Sequence, residues 1–342
     1  MWHRRNNARC KTVHLRNHSV DDPCETIVVL RVSAHPSSAT AFAPATVGNV
    51  AAGFDVLGHA LVAIGDTVTA RKISDPGVRM SPHSDGSVPA DPSANTAGAG
   101  LIRLLEELEM PFGLEILIRK GIPLGSGMGG SAASAAAAIV AVSRLLEVPL
   151  STSQLLEYGM HGEAVATGSY HADNLAPAIL GGLVLVRSSA PLDVVRIPVP
   201  AGLHCVLVHP ALRVDTWEAR AVLPASIPLE EHVTQSGNLG ALIAGCHSAD
   251  LDLISRALQD VVAEPRRKHL VKGFEAVRSA ALDHGALGCS LSGSGPSMFA
   301  WCDGDERAES IRGAMMEAFA AAGVRSRGWV SPVDSPGARV VQ

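Results

Sequence analysis

The chain has 342 residues, of which 47% are hydrophobic and 18% charged, and its net charge is −5. This composition supports a large buried core, in one large domain or in two that share it, and excludes an extended disordered chain. The negative net charge excludes a protein held to nucleic acid by a general basic field. The most apolar run, Ala132 to Val142, is shorter than the ~18 residues of a membrane span, so we expect no membrane partner.

The N-terminal residues differ in charge from the rest of the chain. The first 20 residues contain five Arg or Lys side chains and no acid. We predict that residues 1–37 form a flexible extension. An organelle transit segment is the alternative, but the Ser-rich amphipathic pattern of such segments is missing. The six cysteines show neither a C-x-x-C pair nor a metal-ligand spacing, which favours free thiols and a cytoplasmic protein.

The first predicted elements are short strands. Thr40–Pro44 and Val56–Ala63 have the apolar composition of strands and flank a polar loop that contains glycine. Gly65-Asp66 is typical of a turn, and it leads into a third strand at Thr67–Ile73. Residues 74–94 are rich in Ser, Pro, Asp and Gly, which predicts a loop.

A helix, a strand and a second helix follow in the sequence. Asn95 is placed to cap a helix in which leucines recur at i, i+3, i+4 and i+7 from Leu101. Leu114–Ile122 alternates well enough for a strand, and Pro123 ends it. Ser131–Leu146 consists almost entirely of Ala, Ile, Val and Leu, which predicts a helix that packs closely against its neighbours.

The second half of the chain continues to mix helices with strands. Ser151 opens a helix, and Gln154 completes its capping box. The mixture predicts an α+β fold of two lobes, with the boundary between residues 185 and 200. The later predicted elements are strands Leu183–Val186 and Leu203–His209, helices 230–260 and 266–283, strands Cys289–Leu291 and Met298–Trp301, and a helix over 305–322 that stops at Gly323.

A glycine-rich loop joins the strand that ends at Pro123 to the alanine-rich helix. It reads Pro-Leu-Gly-Ser-Gly-Met-Gly-Gly-Ser-Ala-Ala over residues 123–133. Glycines allow close backbone approach, and a helix N-terminus offers unpaired N–H groups and a positive dipole end, so the segment predicts a phosphate site. It matches neither a Walker loop nor a dinucleotide fingerprint. On spacing alone, a connection that merely lets the helix pack tightly remains an alternative.

Three segments together resemble the motifs of the GHMP kinases. They are the glycine loop, Ala43-Pro-Ala-Thr-Val-Gly-Asn-Val-Ala-Ala-Gly-Phe-Asp-Val-Leu-Gly58 and Gly288-Cys-Ser-Leu-Ser-Gly-Ser-Gly-Pro-Ser297. The resemblance covers residues 40 to 335. It implies a two-lobed α+β fold, with a lobe similar to domain 2 of ribosomal protein S5 and a ferredoxin-like lobe. We expect an ATP-binding domain over residues 38–190 and a C-terminal domain over 191–335.

Within this family, the sequence is most similar to the homoserine kinases. The first motif, Tyr170–Gly182 and Asp215–Pro224 carry this likeness, whereas Ala51 and Gly130 depart from the usual Gly and Ser. The resemblance implies ATP-dependent phosphorylation of the L-homoserine hydroxyl to O-phospho-L-homoserine, a step of threonine biosynthesis. It also implies Mg²⁺ as a cofactor, homoserine and ATP as the binding partners, and a homodimer.

The resemblance assigns the nucleotide end of the site residue by residue. Ser131 and Glu163 match the family's magnesium ligands, and with Asn174 they are the expected catalytic residues. Oxygen ligands suit Mg²⁺, although an isolated acid within a helix is more often a solvated surface residue. The expected contacts to the ATP phosphates are Pro123, Leu124, Gly125, Ser126, Gly127, Met128, Gly129, Gly130, Ser131, Ala132 and Ala133.

The resemblance also assigns residues to the amino acid. Asn49 and Asp55 suit its ammonium, and arginines suit its carboxylate because their planar fork can bind it through two hydrogen bonds. The matching arginines are Arg220 and Arg267, although the adjacent Arg266 could replace the second. The supporting contacts are Thr216 and His171.

Asn174 stands where other members of the family have an acid near the reacting hydroxyl. An amide can orient a hydroxyl group but cannot accept its proton at neutral pH. We therefore expect phosphoryl transfer without a dedicated protein base, with Asp173 as the rival candidate for that role. Two other functions stay open: the same chemistry on another alcohol, such as mevalonate or a sugar, and a sensor with this fold and no catalytic activity.

Overall fold

The computed structural model describes residues 36–82, 88–167 and 172–342. The first lobe contains a seven-stranded sheet in the order β11-β1-β2-β4-β3, and β5 joins it by pairing with β2 and with β6. All its pairings are antiparallel except β3 with β4. Its strands are β1 (Ser38–Gly48), β2 (Leu57–Ile73), β3 (Val78–Met80), β4 (Gly113–Arg119), β5 (Leu183–Ser189), β6 (Leu192–Ile197) and β11 (Arg339–Val340).

Four helices belong to the same lobe as this sheet. The alanine-rich helix α2 is buried over most of its length because its small side chains let it lie directly on β1 and β2. The predicted caps are confirmed: Asn95 accepts hydrogen bonds from the first turn of α1, and Ser151 exchanges hydrogen bonds with Gln154 ahead of α3. The helices are α1 (Thr96–Glu107), α2 (Gly130–Leu145), α3 (Thr152–Thr167) and α4 (Ala172–Leu180).

The second lobe contains an antiparallel four-stranded sheet in the order β10-β7-β9-β8. Helix α10 packs on this sheet and against α9. The predicted helix over 230–260 is broken at Ala249, where the backbone turns left-handed, and Asp250 caps the next helix. The elements are β7 (Leu203–Pro210), α5 (Thr216–Ala221), α6 (Leu229–Ser248), α7 (Leu251–Ala257), α8 (Glu264–Arg267), α9 (Phe274–Asp283), β8 (Gly288–Leu291), β9 (Met298–Asp303), α10 (Asp305–Ala321) and β10 (Ser326–Pro332).

The two-lobed α+β prediction is confirmed, but the predicted turn at Gly65-Asp66 is wrong. Strand β2 runs without a break from Leu57 to Ile73, and the irregularity lies opposite, as a register shift between Pro44 and Ala45. The Asp66 side chain is fully buried and accepts hydrogen bonds from the backbone N–H groups that follow β4. Asp66, a residue type that is common in turns, therefore has hydrogen-bond partners for its carboxylate inside the sheet.

The domain boundary at residues 190 and 191 stays a prediction. Strand β6 pairs with β5 in the first sheet, and β11, beyond residue 335, returns to pair with β1. Most of the predicted 1–37 extension lies outside the described residues. Across the part of the chain that the structure describes, every helix is too short or too polar to cross a membrane.

One buried hydrogen bond links the two sheets. The indole N–H of Trp301 on β9 donates to His59 Nε2 on β2 at 3.1 Å, and His59 Nδ1 lies 2.9 Å from the carbonyl oxygen of Ala60. A carbonyl only accepts, so Nδ1 carries the proton and the ring is neutral. Burial lowers the pKa of His59 to about 4, which keeps the ring neutral at physiological pH. Trp301 belongs to a hydrophobic core that spans the two sheets, and His59 is fully buried.

Helix α4 lies unusually close to the first sheet because glycines face it. A methyl group at Gly58 would lie 1.8 Å from the backbone oxygen of Asp173, and one at Gly48 would lie 2.7 Å from the Asp173 carboxylate. At Gly58 the clash would be with backbone, so this position allows only glycine, whereas a methyl group at Gly48 would displace the side chains of Asp173 and Asn174. The close approach fixes Asp173 and Asn174 against the ends of β1 and β2.

Candidate active site

A cavity of about 540 Å³ opens where the three sequence motifs meet. Hydrogen bonds join the motifs directly: the Gly293 N–H donates to Gly48 O at 3.1 Å, and the Asn49 side chain donates to Gly293 O at 3.0 Å. The residues of its wall include Asn49, Asp55, Asn95, Thr96, Lys120, Ser134, Glu163, Asp173, Asn174, Thr216, Arg220, Arg267, Gly293, Ser294 and the loop from Pro123 to Ala132.

The glycine loop has the conformation of an anion site. Gly125, Gly127 and Gly129 have φ angles of +62°, +71° and +64°, which other residues rarely adopt. Helix α2 begins at Gly130, and among the described residues no side chain caps it. Its first N–H groups therefore lack a side-chain cap, and Gly130, Ser131 and Ala132 lie on the cavity wall. Of the predicted phosphate contacts, Ala133 is buried within α2 and is absent from the described cavity wall.

The loop is held by the first and third motifs. A methyl group at Gly129 would lie 1.9 Å from Thr46 Oγ1, and one at Gly127 would lie 2.4 Å from the backbone oxygen of Ser292. The Ser292 hydroxyl donates to Gly127 O at 2.7 Å, and the Thr46 N–H donates to Met128 O at 3.1 Å. Close packing fixes the conformation of the loop. The two interpretations of this segment, a tight connection and a phosphate site, are therefore compatible.

Sequence reasoning missed a charged cluster beneath the loop. Lys120 forms an ion pair with the buried carboxylate of Asp66, and its ammonium donates to Gly130 O at 2.7 Å and to Ser134 Oγ at 3.1 Å. Ser134 also donates to Asp66 at 2.7 Å. The cluster places an ion pair at the start of α2, with Lys120 on the cavity wall. The available signal was a lysine three residues before the loop, but its acid partner is 54 residues away in the sequence.

Ser131 and Glu163 meet beside the loop, as predicted for two metal ligands. The Ser131 hydroxyl is hydrogen-bonded to the Glu163 carboxyl group, and Glu163 is only 6% exposed. Burial raises the pKa of Glu163 to about 7; the charge of Asp173 adds to this effect, while Ser131 and Lys120 oppose it. In the described ranges, His, Cys, Asp and Glu side chains nowhere gather in threes that could bind a metal alone.

Asn174 and Asp173 form a hydrogen-bonded pair at the cavity wall. The Asn174 carbonyl oxygen accepts from the Thr46 hydroxyl at 2.7 Å, and its amide donates to Asp173 Oδ2 at 3.2 Å. Burial raises the pKa of Asp173 to about 7, and the charge of Asp55 raises it further while Arg220 lowers it. The amide is therefore fixed in orientation, next to an acid that titrates near neutrality.

Asp55 and Arg220, also on the cavity wall, bind each other. The guanidinium donates two hydrogen bonds, of 2.9 and 3.1 Å, to the two oxygens of Asp55. Asn49 accepts from the Asp55 N–H at 3.0 Å, and both residues have positive φ angles, of 69° and 58°. Thr216 is the first residue of α5 and lies on the same wall.

The structure separates the two adjacent arginines of α8. Arg267 is buried in the cavity wall, where it donates to the backbone oxygens of Ala219 and Gly293. Arg266 instead forms a two-bond ion pair with Glu231, outside the described cavity wall. Arg267 is thus the arginine in position to reach a ligand. The predicted contact His171 lies outside the described residues. The roles of all these residues stay predictions.

Comparisons with known proteins agree with this geometry. The family model for the GHMP kinases N terminal domain matches residues 95–182, and that for the GHMP kinases C terminal matches residues 242–321. These two ranges contain the glycine loop, Glu163 and Asn174 from one lobe, and Arg267 from the other.

Relatives of known name match most of the chain. The homoserine kinase of Xanthomonas campestris pv. campestris (strain B100) is 49% identical over 89% of this chain and 94% of its own length. That of Chlorobium phaeobacteroides is 49% identical over 88% and 98%. The crystal structure of homoserine kinase from Cytophaga hutchinsonii superimposes with a TM-score of 0.87, at 47% identity over 90% of this chain and 98% of that chain. The chain therefore belongs to the GHMP kinase family, among its homoserine kinases.

Proposed function

We propose that the protein transfers the γ-phosphoryl group of ATP to the hydroxyl of L-homoserine and so supplies O-phospho-L-homoserine for threonine biosynthesis. One observation carries the proposal. A single cavity has on its wall both the glycine loop with the start of α2 and the acids and arginines that fit an amino-acid zwitterion. Phosphoryl transfer consists mainly of positioning and charge neutralisation, which such a cavity supplies.

The ATP phosphates would lie against the loop. The N–H groups at the start of α2 donate to phosphate oxygens, and the helix dipole favours their negative charge. The Lys120 ammonium lies at the same point, with its charge paired to Asp66. Its three donors contact Asp66, Gly130 and Ser134, so it holds the start of α2 and the loop in place.

Ser131 and Glu163 fit a Mg²⁺ ion bound with the phosphates. Magnesium takes oxygen ligands and usually keeps waters while it binds one or two carboxylates and substrate phosphates. The buried Glu163 carboxyl, with its pKa raised to about 7, is a group that a cation would convert to the charged form. When bound, Mg²⁺ would neutralise charge on the phosphate oxygens.

The amino acid would bind by exchanging charges with an existing ion pair. In the structure Asp55 accepts both hydrogen bonds of the Arg220 fork. A substrate carboxylate would bind Arg220 and Arg267, while its ammonium would lie near Asp55 and Asp173. A neutral sugar or mevalonate brings no ammonium to these two acids. This difference favours homoserine over the other alcohols.

The hydroxyl group would be oriented by Asn174. One lone pair of its carbonyl oxygen accepts from Thr46, which leaves the other for the substrate hydroxyl. The proton would leave on a phosphate oxygen, without a dedicated protein base. Asp173 would balance the substrate ammonium, and that positive charge would lower the pKa of Asp173 below about 7.

We also propose that the protein is a homodimer, as the family resemblance implies, and that it acts in the cytoplasm, as its cysteine pattern favours. Neither property is used in the arguments that follow.

The substrate assignment predicts the outcome of an ADP-release assay. The protein with Mg²⁺ and ATP should release ADP with L-homoserine, at a kcat/KM at least 100-fold above that with mevalonate or galactose, because only homoserine fills both charge sites. Preference for mevalonate or galactose would replace homoserine by another alcohol. The absence of ADP release with all three, from protein that binds ATP, would favour a sensor.

Replacing Glu163 by Gln should change stability in a pH-dependent way. The folded protein keeps the Glu163 proton up to about pH 7, whereas the unfolded chain loses it near 4.5, so wild-type stability falls as pH rises between these values. Without ligands, Glu163→Gln should therefore raise Tm by about 2–5 °C at pH 8 and leave it unchanged at pH 5. Scanning calorimetry measures both, with Glu157→Gln, an exposed acid of the same helix, as the matched control.

The same variant tests the metal assignment without an activity measurement. A non-hydrolysable ATP analogue with Mg²⁺ should stabilise the wild type more than the analogue with EDTA does at pH 8, because binding to the folded state raises Tm. Glu163→Gln should lose most of that difference. An equal Mg²⁺ effect in variant and wild type would remove Glu163 from the metal site.

Asp173→Asn distinguishes a partner of the ammonium from a general base. If Asp173 balances the substrate ammonium, the variant should raise the homoserine KM at least 10-fold and lower kcat less than about 10-fold. A base contributes about 10²–10⁴-fold to the chemical step, so a loss of kcat in that range would make Asp173 the base. Steady-state kinetics with saturating ATP gives both constants. The KM for ATP serves as the control for site integrity.

Asp55→Asn should have opposite effects on two ligands. Homoserine binding should weaken at least 10-fold because its ammonium loses an acid partner. Binding of 4-hydroxybutyrate, which has the carboxylate and hydroxyl but no ammonium, should strengthen, since Asp55 no longer competes for Arg220. Isothermal titration measures both. Weaker binding of both ligands would show that Asp55 supports the site without competing for Arg220.

A further inference from the structure

Phe54 has a position that the assigned roles do not explain. It lies directly before Asp55 in the first motif, and its side chain is half-buried. The ring centre is 5.8 Å from the guanidinium carbon of Arg220 and 5.2 Å from that of Arg267. Both distances are within the ~6 Å range of cation–π contacts. Phe54 belongs to neither of the two hydrophobic clusters of the described residues.

The two arginines need support because they carry like charges at one end of a cavity. The pKa of Arg267 is lowered, first by burial and then by the charge of Arg220, while the charges of the acids Asp55, Asp260 and Asp173 oppose this shift. Asp55 partners Arg220, but Arg267 donates only to the neutral backbone oxygens of Ala219 and Gly293 among the hydrogen bonds of the described residues. An aromatic face attracts both cations through its quadrupole.

An aromatic ring supports an arginine without occupying its hydrogen-bond donors. The ring contacts the flat face of a guanidinium, whereas a carboxylate binds the N–H groups along its edge. A second acid in place of Phe54 would neutralise the arginines, but it would also compete with the substrate carboxylate. The contacts of Phe54 thus hold two cations near one another without using any of their N–H donors.

We propose that Phe54 is a positioning residue that sets the arrangement of Arg220 and Arg267 for the carboxylate of an amino-acid substrate. The inference rests on the proposed function and extends it by naming a residue for carboxylate selectivity. Phe54 acts through the arginines and touches no reacting atom. It should therefore change the affinity for ligands that carry a carboxylate, and it should leave the chemical step and ATP binding unchanged.

The test compares Phe54→Leu with Phe54→Tyr, which keeps the ring. Phe54→Leu should raise the homoserine KM about 10-fold, with kcat and the KM for ATP within 3-fold of wild type. Phe54→Tyr should retain most of the wild-type affinity for homoserine. Phe112→Leu is the matched control, because the half-buried ring of Phe112 also carries a cation, Lys72, at 4.6 Å, and is absent from the described cavity wall.

Two inhibitors separate positioning from packing. The inhibition constant of 4-hydroxybutyrate, which has the carboxylate, should rise with the homoserine KM in Phe54→Leu. That of 3-aminopropan-1-ol, which lacks the carboxylate, should stay at the wild-type value. Equal weakening of both inhibitors, or no change in either, would overturn the inference. A wild-type protein that binds ATP but does not phosphorylate homoserine would instead overturn the proposed function, and this inference with it.

Discussion

The active site depends on backbone segments that pack closer than side chains allow. Gly58 contacts α4, Gly127 contacts the third motif and Gly129 contacts the first, each at a distance that excludes a methyl group. These contacts join three segments that are distant in the sequence, and they fix the glycine loop on the cavity wall. Steric exclusion thus does what a rigid side-chain network does in other sites, and it leaves the loop amides available for phosphate.

That construction explains why the sequence was informative about the phosphate end. A glycine loop, the alanine-rich helix after it and the cap at Asn95 are local features, determined by residues within one turn of each other. The Gly65-Asp66 turn was mispredicted for the converse reason. The Asp66 carboxylate accepts hydrogen bonds from the N–H groups of residues 121 and 122 and pairs with Lys120. No local sequence pattern predicts these contacts, because the partners are distant in the sequence.

The substrate end was predictable only through the resemblance. Nothing local distinguishes Arg266 from Arg267; their difference arises because one side chain of α8 faces Glu231 and the other faces the cavity. The Asp55–Arg220 pair spans 165 residues and two lobes. In the sequence, Phe54 is an ordinary apolar residue of the first motif. Its contact with two arginines depends on the positions of α5 and α8, which only the structure gives.

The cavity keeps its buried charge low in two ways. Asp55 and Arg220 neutralise each other directly, whereas Glu163 and Asp173 have pKa values raised to about 7 and hold protons over part of the physiological range. Each proposed ligand replaces one of these arrangements: a cation replaces the Glu163 proton, and a zwitterion replaces the internal ion pair and the Asp173 proton. The two acids proposed to face ligands, Glu163 and Asp173, are therefore the groups whose charged forms burial disfavours. This explains why ionisable groups remain in a cavity that the protein could otherwise fill with apolar side chains.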